Sequence, residues 1–212
     1  MTDNTMSQLQ QFITQTATNN EAILVGYTNI KKLHSTAIIL GFHYSDKSYF
    51  KNTFGIAKRI YDVNVRSNTV LAKLSSILKK EDYTSYNKSI LSVYGDMRPF
   101  IEAARLGVIG RNGLIVNSQY GSNLLFSMLF TDAPFEIEEP NHGFFHPCTY
   151  CKRCIDACPV NAYEKNQFNT YKCFISSLKG CKECVTHCIN ANGIVGDVLT
   201  PANIHNLDSR GR

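Results

Sequence analysis

The stretch Cys148–Pro159, C-T-Y-C-K-R-C-I-D-A-C-P, constrains this chain more than any other. With Cys173, Cys181, Cys184 and Cys188 it gathers all eight cysteines of the 212 residues into one short region. The spacing C-x2-C-x2-C-x3-C-P is a known bacterial iron–sulfur run. Three thiolates on one tight loop can reach three irons of a cubane, so the fourth must come from elsewhere. In two-cluster chains the last cysteine of each run crosses to the other cube. That rule puts Cys148, Cys151, Cys154 and Cys188 on one 4Fe-4S cluster, and Cys158, Cys173, Cys181 and Cys184 on a second. Pro159 favours a bend, since its φ is fixed and it has no N–H.

Other uses of cysteine fit less well. Structural zinc is usually held by two separated Cys pairs, or by Cys with His, and three cysteines at spacing three suit it poorly. An even cysteine count is also the sign of a disulfide scaffold. The N-terminus shows no basic, apolar and small-residue leader pattern, so the expected location is the cytoplasm, where thiols stay reduced. Inert buried cysteines would not cluster in this way.

An apolar fraction of 43% with 18% charged residues is ordinary for a globular protein. The apolar runs Thr36–Phe42 and Leu124–Phe130 are too short to span a bilayer, so no membrane partner is expected. The formal charge of +5 falls to roughly +1 if eight thiols ligate two clusters, because ligating thiols are deprotonated. Bulk charge therefore argues only weakly for nucleic acid.

Met6, Leu9, Phe12, Ile13 and Thr16 recur at helical spacing within Thr2–Thr18, and Asn19 and Asn20 end that pattern. Ala22–Tyr27 and Thr36–Tyr44 read as buried strands, with His34 and His43 as edge or core residues. Tyr49–Lys80 reads as one long helix, or two broken near Ser67, ended by Lys79 and Lys80. A strand is expected within Lys88–Tyr94 and a short helix over Pro99–Arg105. Gly107, Gly110 and Gly113 do not form the dinucleotide fingerprint; they suggest left-handed turns or close approach to a ligand or a strand, of which the strand is preferred. Leu114–Val116 and Leu124–Phe130 read as strands joined by a turn at Gly121. The expected fold is a mixed α/β domain over 1–139, a small ferredoxin-like domain with two 4Fe-4S clusters over 140–193 and a tail over 194–212.

The segment D-M-R-P-F-I-E-A-A-R-L-G-V-I-G-R-N-G-L-I-V-N-S-Q-Y-G-S from Asp96, followed by F-T-D-A-P-F-E and the cysteine runs, resembles the epoxyqueuosine reductase family and its relatives, the reductive dehalogenases. The similarity runs from about Ile23 to Cys188, and the order of motifs is its most specific part. The resemblance implies a corrinoid (cobalamin) beside two 4Fe-4S clusters. It also implies reduction of an organic substrate, small or tRNA-borne, with electrons from a low-potential donor of the ferredoxin or flavodoxin type. It assigns Asp96 as the proton donor and Gly110, Arg111, Asn112, Tyr120, Gly121 and Ser122 to the corrinoid-facing loops. Read from the residues alone, Asp96 is an N-cap or first-turn charge, Arg111 an exposed turn residue, and Phe144 and Phe145 cluster shields or core.

Three departures bear on the resemblance. Ile189 follows Cys188 where the family has proline, the Cys173–Cys181 interval is short, and the chain before Asp96 is abbreviated. They leave a second function open, that of an electron carrier without a corrinoid. His146 and His187, next to ligand cysteines, read as sulfur hydrogen-bond donors or as exposed loop residues.

Overall fold

The structure, a computed structural model, describes residues 3–30, 35–43, 53–91, 95–137, 148, 151–164 and 167–188. His34, Pro140, His142, Phe144, Phe145, His146, His205 and the expected tail lie outside the described residues. Two compact units are present, each discontinuous in sequence. The first comprises Met1–Tyr44, Lys58–Leu106 and Leu125–His142, and the second Ser45–Ala57, Gly107–Leu124 and Gly143–Arg212. Together their helices and sheets make a mixed α/β fold.

Helix α1 (Asp3–Thr18) leads into strand β1 (Leu24–Ile30), which pairs antiparallel with β2 (Ser35–His43) from Leu24↔Gly41 to Ile30↔Ser35. Ile38, Ile39 and Leu40 of β2 are all fully buried, so this strand is covered on both faces, as its unbroken apolar run requires. Ile13 and Ala17 carry the buried line of α1. Phe12, expected on that stripe, is 55% exposed, because it lies one helical step away from Ile13. Tyr27 ties β1 to α1 through a 2.7 Å hydrogen bond with the Thr14 hydroxyl, and its ring meets Phe135 edge-on at 5.5 Å.

Helix α2 (Thr53–Lys80) is continuous through Ser67, whose hydroxyl donates to the Asn64 carbonyl of its own helix. Val63, Val70, Leu71, Leu74 and Leu78 form its buried stripe. Strand β3 (Ser85–Lys88) precedes the expected position, and it pairs with β6 (Leu124–Thr131) at one edge of the sheet β1-β2-β6-β3. Its sequence S-Y-N-K lacks an apolar alternation because an edge strand has little to bury. Tyr86 instead stacks its exposed ring on Phe130.

Helix α3 (Arg98–Ala103) is followed in the second unit by β4 (Val108–Ile109), which pairs with β5 (Ile115–Val116). This corrects the expected partner of 114–116: β5 pairs back to β4, while β6 joins the large sheet. Gly107 and Gly110 explain the choice. A Cβ on Gly107 would lie 2.6 Å from Ile115 and one on Gly110 2.5 Å from Val116, so both glycines let β5 close onto the preceding chain. The second unit continues with α4 (Arg153–Asp156), the pair β7 (Tyr163–Glu164) and β8 (Gln167–Phe168), α5 (Thr170–Leu178) and α6 (Glu183–Thr186).

Four helices end in the same way. The N–H of Ala22, Tyr83, Leu106 and Cys181 bonds back five residues, to the carbonyls of Ala17, Leu78, Ile101 and Ser176. The residue before each takes a left-handed φ: Glu21, Asp82, Arg105 and Gly180. This closes the orphan carbonyls of the last turn, and only the fourth position carries the glycine that the conformation favours. Replacing exposed Asp82 (φ 62°) by glycine is therefore expected to raise stability by about 0.5–1 kcal/mol, read as a higher midpoint in urea unfolding.

Candidate metal centre

The cysteines of the second unit sit on two copies of one local structure. In each, C-x2-C-x3-C wraps a single helical turn, Cys151 to Cys158 around α4 and Cys181 to Cys188 around α6. The hydrogen bonds repeat position for position. Ile155 and Asp156 N–H donate to the Lys152 carbonyl, and Val185 and Thr186 N–H to the Lys182 carbonyl. The N–H of Cys158 reaches Ile155 and that of Cys188 reaches Val185. The two turns pack against each other. Asn169 caps α5 by accepting the Lys172 N–H at 3.0 Å, and Gly180 then swings the chain so that Cys181 follows Cys173 into the same group.

No disulfide joins any of the eight thiols. Burial raises the pKa of Cys148, with the Cys188 and Cys151 thiolates adding to the rise. Cys154 is pushed up to about 12 by burial and then by Cys148, Cys151 and Cys188, with Cys184 the last contributor. Cys184 is pushed up to about 11 by burial and by Cys173, Cys181 and Cys158, and Cys173 is raised by burial with Cys158 and Cys181. Cys188 stands among the neighbours that raise Cys148 and Cys154, and Cys158 among those that raise Cys173 and Cys184.

Burial keeps these four thiols protonated, and ligation of a cation removes the proton outright. Among the described residues no three His, Cys, Asp or Glu side chains converge as ligands of one ion. A cubane takes one thiolate per iron and so spaces its ligands more widely than a mononuclear site does. Backbone N–H groups already point at sulfur: Ala162 donates to Cys158 Sγ at 3.4 Å, and Arg111 donates to Cys148.

The Arg111 contact places the turn Gly110–Gly113 at the first set of thiols. Its exposed guanidinium adds positive charge that favours the Cys148 thiolate. Asn112 is buried, but its Oδ1 accepts the Leu114 N–H, and the room at Gly110 is filled by Val116, Asn112 and the Leu114 carbonyl. This turn is closed upon itself. The second expected loop differs. Asn117 Oδ1 accepts the N–H of Gln119 and Tyr120, and Gly121 (φ 61°) pairs back to Asn117. Beyond it the Ser122 hydroxyl and Asn123 Oδ1 are buried without a hydrogen-bond partner. Orphaned polar atoms of this kind fit a polar ligand.

Asp96 belongs to the first unit. Its carboxylate takes the Arg98 backbone N–H at 3.0 Å and the Arg98 guanidinium through both oxygens, at 2.7 to 3.0 Å. Lys88 stands nearby, its Nζ donating to the Gly95 carbonyl. The hydrogen bond from Arg98 and the charges of Arg98 and Lys88 hold this carboxyl below the usual carboxylate range. It is an anion at neutral pH; the N-cap of α3 is Met97, so Asp96 lies one residue before the cap that its plain reading gave it, and it accepts the N–H of Arg98, the first helical residue. His187 is exposed, with Nδ1 3.0 Å from the Glu183 carbonyl and 3.4 Å from its carboxylate, so it engages its own turn.

Sequence reasoning missed Tyr163. Its phenol is pushed upward by burial and then by Cys184, Cys154, Cys173 and Cys158, so it borders cysteines of both sets, and its ring lies 5.1 Å from Phe168. The only available signal was its position five residues after Cys158. An open groove of about 660 Å³ between α1, β1 and the residues after α3 contains none of these groups.

Comparison with known proteins matches residues 147–164 to a 4Fe-4S binding domain. Epoxyqueuosine reductase of Staphylococcus aureus is 35% identical over 86 residues, which is 39% of this chain and 22% of that protein. A crystal structure of epoxyqueuosine reductase with a tRNA-Tyr epoxyqueuosine-modified stem loop aligns over 92% of this chain and 68% of its own, at 17% identity and a TM-score of 0.66. The structure of a reductive dehalogenase, one that suggests a mechanism for B12-dependent dehalogenation, aligns over 83% of this chain and 30% of its own, at 17% identity and a TM-score of 0.68. The structural likenesses show a shared fold. The matched stretch spans under a third of the curated relatives' length. No helix among the described residues is long and apolar enough to cross a membrane.

Because its folded pKa is depressed, Asp96 contributes stability above the ordinary carboxylate range, and the contribution is lost as pH falls through the depressed value. Arg98→Gln is expected to move the Asp96 titration midpoint up toward the ordinary range, as followed by carboxyl-carbon NMR.

Proposed function

We infer that this chain belongs with the epoxyqueuosine reductases and reductive dehalogenases that it resembles, and is an iron–sulfur oxidoreductase holding two cubane clusters. Cys148, Cys151, Cys154 and Cys188 hold one, and Cys158, Cys173, Cys181 and Cys184 the other. The observation that carries this reading is the pair of matching C-x2-C-x3-C turns packed on each other, with Cys188 near Cys148 and Cys154 and with Cys158 near Cys173 and Cys184.

When assembled, the clusters supply one-electron relays. The chain's own residues tune them. Arg111 and Ala162 N–H donate to ligand sulfurs and favour the added negative charge of a reduced cluster, while Tyr163 screens the space between the sets from water. The electrons come from a low-potential carrier and go to an organic substrate, small or tRNA-borne. A corrinoid, which would supply a cobalt able to take up electrons singly, would be held by Tyr120, Gly121 and Ser122 with Asn123, where the orphaned polar atoms lie. Gly110 and Asn112 contribute the closed turn behind Arg111. Asp96 serves as the proton donor of this reading; held as an anion by Arg98, it must first take up a proton from solvent, which it then passes to the substrate.

The closed turn at Gly110 favours a second reading, a two-cluster electron carrier without a corrinoid. Cobalamin added to anaerobically reconstituted protein separates the two. Near-stoichiometric retention on a sizing column with a shifted corrinoid spectrum is expected for the reductase, and free elution of cobalamin decides for the carrier.

Reconstituted protein is expected to hold about eight irons per chain. Cys158→Ser and Cys173→Ser should remove the same cluster, leaving about half the iron and one and the same residual electron-paramagnetic signal. Cys188→Ser should leave the complementary signal. Pairing of Cys158 with the Cys154 phenotype would refute the crossed assignment.

A further inference from the structure

Helix α5 carries Cys173 toward the cluster group and shows nothing but apolar side chains on its opposite side. Tyr171, Phe174, Ile175 and Leu178 follow the i, i+3, i+4, i+7 spacing of one helix face. They are 75%, 56%, 39% and 63% exposed, and no residue of the helix is buried. Phe168, just before the helix, is 41% exposed and continues the patch. An amphipathic stripe normally faces a core. A contiguous patch of five large apolar side chains facing outward marks a surface built for contact.

The surroundings indicate the partner. Lys172 and Lys179 lie two turns apart along one flank of the stripe, and Lys182 follows the glycine turn. Residues 167–188 hold these three lysines and one carboxylate, Glu183. The rim is therefore basic around an apolar centre. The patch also connects inward, since Phe168 touches the Tyr163 ring, and that phenol feels Cys158, Cys173 and Cys184.

We propose that the exposed face of α5, Tyr171, Phe174, Ile175 and Leu178 with its flanking lysines, is the docking surface for an acidic electron-carrier protein that reduces the cluster held in part by Cys173. The proposal rests on the two-cluster reading above. One electron leaves the reduced carrier and enters the oxidised cluster, and no bond is made or broken. Surface carboxylates of the carrier meet the lysines and speed encounter, while its apolar patch around the redox centre closes on the stripe. Cys173 lies on the far side of the same short helix, so the docked carrier needs no path through the rest of the fold.

The test uses the full reconstituted chain, with photoreduced flavodoxin as the acidic carrier and dithionite as a small reductant that needs no docking. Leu178→Ser and Lys179→Glu alter exposed positions and neither is a ligand. The double variant should keep its cluster absorbance and its dithionite rate while its bimolecular rate with flavodoxin falls about tenfold or more at low salt. Lys179→Glu alone should flatten the salt dependence of that rate. An unchanged flavodoxin rate would overturn the proposal. So would a wild-type dimer on sizing that Leu178→Ser dissolves, because the face would then belong to a second copy. Wild-type material that assembles no iron would defeat the two-cluster reading and this surface together, whereas normal clusters with an unaffected carrier rate would defeat the surface alone.

Discussion

Gathering thiols into one small volume is unfavourable for Cys148, Cys154, Cys173 and Cys184 as anions, since burial and neighbouring sulfurs both oppose their ionisation. Cys154 and Cys184 carry the largest displacement, to about 12 and about 11. The arrangement becomes favourable only when iron supplies compensating positive charge, so assembly of the metal and consolidation of this unit are one process. Short helical turns, an asparagine cap and a left-handed glycine supply the backbone geometry. The metal supplies what a large apolar core would supply elsewhere, and few residues between Arg153 and Thr186 are fully buried.

The cysteine chemistry was legible because ligand spacing is a local property. Cys151–Cys158 and Cys181–Cys188 repeat in sequence and, bond for bond, in backbone hydrogen bonding. The long apolar elements were equally open to reading: β2 and α2 announce themselves by run length and by helical period. What escaped depends on partners that sequence does not name. Strand β3 is polar because it lies at an edge, and β5 turns back to β4 because two glycines leave it room. Neither fact has a periodic signature. Tyr163 escaped for a related reason: a tyrosine after a cysteine run gains significance only once the fold brings cysteines of both runs near it.

Asp96 illustrates how a residue can answer to two descriptions. It lies just before a helix, and the first residue of that helix, Arg98, binds both carboxylate oxygens. The same pairing that stabilises the turn lowers the proton affinity of the group. A local structural role and a role in proton delivery therefore draw on one carboxylate in opposite directions. The turn at Arg111 shows the reverse case, since a residue with a plain surface reading proves to address a ligand sulfur through its backbone.

The interleaving of the two units has a consequence for how such a chain could arise or be dissected. The stretch Gly107–Leu124 belongs with the cysteine-bearing unit although Leu125–His142 of the other unit separates it from the cysteine runs. A fragment excised from the cysteine runs onward would forfeit the amide that Arg111 lends to Cys148. The iron–sulfur region is thus no transferable cassette appended to an older fold: its boundary in space was drawn across the chain rather than along it, and recombination at a single junction would not transplant it intact.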